Sequence, residues 1–192
     1  MKIKSKTSKT QPYDKVMVVA HPDDELIFGG SLLITQKKWH VICITNMDNK
    51  SRFKEFTGLM KELKVSYEMF DHYDDYDDDY MDDELQEHLL EYFSKNKKKL
   101  KMIVTHNNRG EYGHSQHKGV SKMMTNIVKS LGIKGKLHYF GKGTKKLPAE
   151  IIKRKYELMA KYYPSQYQVL DRLKIHDYIE KEKVKIVTSL SK

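Results

Sequence analysis

The stretch Lys15-Val16-Met17-Val18-Val19-Ala20-His21-Pro22-Asp23-Asp24-Glu25 decides how this chain is read. Its first half is an apolar run of strand length, rich in β-branched residues, which predicts a buried strand over residues 16–20. The His-Pro-Asp-Asp cluster then falls where that strand ends. In open α/β sheets ligands bind at this carboxyl edge. Imidazole and carboxylate together suit a divalent transition metal such as zinc. His21 and Asp24 are close enough in sequence to turn onto one ion. Pro22 restrains the turn without offering an N–H. Asp23, between them, projects toward the open coordination position, where a second acid can serve as general base. Glu25 starts a helix and is placed to accept backbone N–H groups of the loop.

Working outward, strand-like runs recur at residues 41–45, 67–70, 102–105 and 137–140. Helical spacing falls between them, as in Phe53-Phe56-Met60-Leu63, Leu85-Leu89-Leu90-Phe93 and Val120-Met123-Met124-Ile127. This alternation predicts a single α/β domain, a Rossmann-like three-layer fold with a mostly parallel central sheet. Helices are expected over 148–163 and 178–183. Residues 1–12 are basic and are expected as a disordered tail, with no apolar segment of a secretory signal, leaving 13–192 as the domain. Gly29-Gly30 weakens the first helix, by roughly 1 kcal/mol per glycine, and this implies close packing against the sheet or against the loop carrying the second histidine pair.

The fourth internal strand leads into His106 and then Gly113-His114-Ser115-Gln116-His117, with a helix expected over 118–131. Two histidines three apart at a helix start can divide the labour, one ligating and the other facing substrate. With His21 and Asp24 this makes the three protein ligands of a zinc hydrolase, which leaves a position for water. His106 stands near enough to support the site, and Glu111 and Tyr112 to line it. His40, His72, His88, His138 and His176 read as surface or capping residues, and Trp39 as part of a helix-to-strand turn.

Composition narrows the classes. The chain has 192 residues, a net charge of +10 and one cysteine, Cys43, so internal disulfides and Cys-rich zinc sites are excluded. Arginine, the main reader of base edges, occurs only at 52, 109, 154 and 172, and the lysines are spread along the chain, so no specific nucleic-acid partner is expected. No run approaches the roughly 18 apolar residues of a membrane span. A cytoplasmic location is expected, with a homo-oligomer left open. The acidic, aromatic run over 71–84 has no glycine, which argues against a calcium loop; it reads as a loop forming a lip over the site. A nucleotide-binding protein would want Gly-x-Gly-x-x-Gly after the first strand, where His-Pro-Asp-Asp stands instead.

Ala20-His21-Pro22-Asp23-Asp24-Glu25 with Gly29-Gly30, followed by Gly113-His114 and His117, resembles the LmbE-like or PIG-L superfamily of zinc-dependent de-N-acetylases. The similarity covers most of the chain. Arg52 with Glu55, and Tyr163-Pro164-Ser165-Gln166, resemble further segments of that family. The resemblance implies that His21, Asp24 and His117 ligate Zn2+ (or another divalent ion such as Fe2+), that Asp23 is the general base, and that His114 is a cationic stabiliser of the oxyanion. It also implies that Arg52 contacts substrate, with Tyr112 beside it. The implied substrate is an N-acetylated amino sugar, an N-acetylglucosamine-type conjugate. Amide hydrolysis of another N-acyl substrate, or sugar binding without catalysis, are the alternatives. The chain departs from the family at Gln116, where an acid normally orients and charges the first histidine. Here a less basic His114 is expected.

Overall fold

The computed structural model describes residues 3–8, 11–75 and 79–187. Its strands are β1 Ser5–Ser8, β2 Lys15–Val19, β3 Trp39–Thr45, β4 Ser66–His72, β5 Met102–Thr105, β6 Leu137–Lys142 and β7 Glu182–Ile186. They form one sheet in the order β1-β4-β3-β2-β5-β6-β7. The five central strands run parallel, and the two edge strands are antiparallel to their neighbours. From β2 the chain builds outward through β3 and β4, then returns to the other side of β2 with β5 and β6. The point of reversal lies between β2 and β5, where an open α/β sheet leaves a crevice at its carboxyl edge. His21 and His106 leave the sheet there.

The helices are α1 Asp24–Thr35, α2 Lys50–Leu63, α3 Asp83–Asn96, α4 Ser115–Ser130, α5 Ala149–Tyr162, α6 Pro164–Leu173 and α7 His176–Glu180. The period-two alternation of β2 sorts them into two layers. Met17 and Val19 face a core shared with Leu26, Phe56, Leu158, Leu170 and Ile179, so α1, α2 and α5 to α7 cover that face. Val16 and Val18 face Leu85, Phe93, Val120 and Met124, which places α3 and α4 on the other. Gly29 lets α1 lie close on β2, since a Cβ there would meet the Met17 side chain at 2.4 Å. Gly119 lets α4 lie close on the segment that leads into α3, where a Cβ would stand 2.2 Å from the Asp79 carbonyl oxygen and force backbone to move. No helix among the described residues is long and apolar enough to cross a membrane.

The fold departs from the sequence reading at its margins. The basic segment expected as a disordered tail supplies β1, which pairs with β4 from Ser5–Phe70 to Ser8–Tyr67. The helix expected over 178–183 ends at Glu180, and Glu182 begins β7. β1 is short and polar and carries no periodic apolar signal, whereas in β7 Val184 and Ile186 alternate with Lys183 and Lys185, a period-two pattern that the helical reading passes over. Trp39 is the first residue of β3 and is buried. His40 follows it, fully buried rather than at the surface, with its ring stacked 4.5 Å from Tyr13.

β7 is held by charge. Lys155 of α5 is fully buried, and its Nζ donates to Glu182 Oε2 at 2.5 Å and to the Ile27 carbonyl at 3.0 Å. The other Glu182 oxygen accepts from Ser31 Oγ at 2.5 Å. This network ties α1, α5 and β7 together behind the helix that starts at the site. Removing one partner of such a pair strands the other charge in the core and costs about 3–5 kcal/mol. Lys155→Met should therefore lower the unfolding free energy by about that amount in urea denaturation, and adding Glu182→Gln should recover much of the loss. Wild-type stability in Lys155→Met would show that the pair holds nothing.

Candidate metal centre

Four donor atoms of three residues converge at the carboxyl edge: His21 Nδ1, His117 Nε2 and both Asp24 carboxylate oxygens. Asp24 Oδ2 lies 3.3 Å from His21 Nδ1, Asp24 Oδ1 lies 3.3 Å from His117 Nε2, and the two imidazole nitrogens are 3.3 Å apart. A tetrahedral ion with bonds of about 2.0–2.1 Å separates its ligands by about 3.3 Å, so the spacing fits one divalent ion. Charge fits as well. Burial opposes a charged His21 ring, but Asp24 and Asp74 outweigh it and push the pKa up to about 10. The site calls for a cation.

Two further histidines lie close enough to compete as ligands. Both belong to groups that could hold an ion, and their hydrogen bonds disfavour them as ligands. His106 Nε2 accepts the Ala20 N–H at 3.0 Å, so its lone pair is in use and its proton sits on Nδ1, facing Glu111 Oε2 at 2.8 Å. The same Glu111 oxygen lies 2.8 Å from His117 Nδ1. It takes that proton's hydrogen bond and leaves His117 Nε2 bare toward Asp24. A carboxylate behind a ligating histidine fixes its tautomer in this way. Despite burial, the two histidines hold the Glu111 carboxyl down to about 2. His114 Nδ1 accepts the Gln116 N–H at 3.3 Å, which places the neutral ring's proton on Nε2 and leaves neither nitrogen for an ion.

Asp23 stands beside this centre in a strained backbone, with φ 106°, a region non-glycine residues rarely adopt. Such strain persists only where the surroundings over-determine it. Here the Arg52 guanidinium bonds the Pro22 carbonyl and the Asp23 carboxylate, the latter at 3.1 Å. Glu25 Oε2 accepts the Asp23 N–H at 3.1 Å, and Glu25 Oε1 accepts Tyr163 O–H at 2.6 Å. Burial pushes the Asp23 carboxyl up to about 7, with Arg52 opposing the shift. An acid of that pKa is poised to exchange a proton near neutrality.

The site opens into a cleft of about 330 Å³ lined by Asp23, Arg52, Tyr112 and His114, with Gln166 and Leu173 of α6 opposite. All seven residues singled out from the sequence thus meet at one place. Two carry properties the sequence reading did not assign. Arg52 is engaged with Asp23 and Glu55 and acts on the adjacent acid. For His114, expected as a cation, burial first and then the neighbouring histidines lower the pKa to about 3, which favours the neutral ring. The Gln116 side chain reaches His21 instead of His114. Glu111 and His106 lie beneath the ligands, and Tyr163 behind the acid. The signal for the first two was their position, His106 directly after β5 and Glu111 five residues on. For Tyr163 sequence distance hid the contact.

Comparison with known proteins gives the family and the fold. A curated relative, an uncharacterized protein of Acanthamoeba polyphaga mimivirus, is 39% identical over 130 residues, covering 59% of this chain and 57% of that protein. The match therefore spans little more than half of the relative's length. The crystal structure of the antimicrobial-reagent pseudoaglycone deacetylase Dbv21 superposes with a TM-score of 0.60 over 84% of this chain and 85% of that one, at 14% identity, and shows a shared fold. The profile of the PIG-L family, described as GlcNAc-PI de-N-acetylase, matches residues 16–128, which include His21, Asp23, Asp24, Arg52, His114 and His117. With more than half of its length in that match, this chain belongs to the PIG-L family.

Proposed function

We propose that this protein is a metal-dependent hydrolase that removes the acetyl group from an N-acetylglucosamine-type conjugate, releasing acetate and a free amino sugar, with zinc as its ion. The observation that carries the reading is the pair of imidazole nitrogens 3.3 Å apart, each 3.3 Å from one oxygen of Asp24, with a further buried carboxyl, that of Asp23, at its side. Family membership and the fold shared with a deacetylase support it.

His21, Asp24 and His117 would hold the ion. When bound, such an ion polarises an amide carbonyl and lowers the pKa of a bound water toward about 7. The chain's own residues supply the remaining work. Asp23 accepts the proton of the attacking water and is kept in place by Arg52, whose charge favours the ionised form. His114, neutral and protonated on Nε2, donates a hydrogen bond to the oxygen on which negative charge develops. Tyr112 and the apolar side chains of α6 exclude water around the reacting amide.

An acetate-release assay on a panel of N-acetylhexosamine conjugates, with and without chelator, tests the proposal. Activity should vanish with chelator and return with Zn2+. Asp23→Asn should cut kcat by about 10²–10⁴ while metal content is unchanged. Turnover by metal-free protein, or by Asp23→Asn at near wild-type rate, would contradict the mechanism.

The pH profile gives an independent check. Asp23 works as a base only when ionised, so the rate climbs as pH rises through its pKa. Arg52 lowers that pKa. Arg52→Gln should therefore move the acid limb of kcat/KM to higher pH by roughly one unit. An unmoved limb in a metal-loaded variant would show that Arg52 does not act through Asp23.

A further inference from the structure

Gln116 stands where the family's acid is absent, yet its side chain is buried and bonded at both ends. Its Nε2 lies 2.6 Å from the Tyr73 carbonyl oxygen, and its Oε1 lies 2.6 Å from His21 Nε2. A carbonyl only accepts, so the end facing Tyr73 must be the NH2 group. The end facing His21 is then the amide oxygen, and His21 Nε2 must carry the proton. This leaves Nδ1 as the nitrogen turned toward Asp24 and His117. A carboxylate from another segment joins Gln116 at this ring. Asp74 Oδ1 lies 3.3 Å from the same His21 Nε2, and Asp74 Oδ2 accepts from Asn46 Nδ2 at 2.8 Å.

We propose that Gln116 is a positioning residue with two separable jobs: its amide oxygen sets the tautomer of the ligand His21, and its amide NH2 anchors the segment at Tyr73 that brings the Asp74 carboxylate to that ligand. A carboxylate at 116 could do the first and not the second, because both of its oxygens accept and one would face the Tyr73 carbonyl. The acidic run after β4 thus has a function in its first residues, and the departure at 116 is matched to it. The inference rests on the assignment of His21, Asp24 and His117 as the ion site.

The test needs no substrate. Zn2+ affinity is measured by competition with a chromophoric chelator, and the order of residues 72–75 by hydrogen–deuterium exchange of that peptide, in wild type, Gln116→Leu and Gln116→Glu, each shown folded by circular dichroism. Gln116→Leu should bind Zn2+ about 10–100-fold more weakly and exchange faster at 72–75. Gln116→Glu should bind at least as tightly as wild type yet exchange as fast as Gln116→Leu. Wild-type affinity in Gln116→Leu, or unchanged exchange in Gln116→Glu, overturns the proposal. A wild-type protein that binds no Zn2+ would instead remove the metal site itself. Should any variant fail to fold, Asp74→Asn provides a second arm. It should weaken Zn2+ binding at least several-fold with Gln116 intact, and unaltered affinity there also counts against the proposal.

Discussion

The site depends on one constraint: His21 Nδ1 and His117 Nε2 must stand 3.3 Å apart, each 3.3 Å from an Asp24 oxygen, although the two histidines are 96 residues apart in sequence. The parallel pairing of β2 with β5 meets it. The register sets Val18 beside Thr105, and each chain leaves its strand within a residue or two of the other. Backbone hydrogen bonds then lock the exits together. The Ala20 N–H is taken by His106, and its carbonyl accepts both the N–H and the hydroxyl of Thr45. The end of β2 is thereby bound to β5 on one side and β3 on the other before any ion binds.

Beneath the ligands, polar groups are buried in numbers that would be costly if any were unpaired. Glu111 serves His106 and His117 through one oxygen, and its other oxygen accepts the Asn107 N–H at 2.8 Å. Glu25 serves the Asp23 backbone and Tyr163. These two buried carboxylates work differently. Glu111 is kept ionised by its histidines, whereas burial pushes Glu25 up to about 8, so it is neutral at pH 7. One fixes ligands by charge, and the other braces a strained turn by hydrogen bonds.

Arg52 joins the two halves of the chemistry. It holds Pro22 and Asp23 from α2, and Glu55, one turn further along that helix, holds it in return. The strained φ of Asp23 is maintained by this clamp and by the helix it caps. The same residue can still line the cleft, because its guanidinium has more donors than Asp23 and Glu55 consume.

The order of apolar runs, the β-branched content of residues 16–20 and the position of His-Pro-Asp-Asp at a strand end were enough to read an α/β fold and to set His21, Asp23 and Asp24 at its carboxyl edge. Local pattern carries that information, since burial on both faces demands continuous apolar strands and ligands gather where they end. β1 was not legible, being short and polar, and in β7 the alternation of Val184 and Ile186 is brief and follows directly on the helix expected over 178–183. Nor was the division of labour among the four histidines around the centre, because a histidine's role follows from which of its nitrogens is already engaged. The Ala20 N–H occupies one nitrogen of His106, Glu111 accepts a hydrogen bond from His117, and the Gln116 amide oxygen accepts one from His21. Those partners come from separate elements, and only tertiary packing sets them at hydrogen-bond distance.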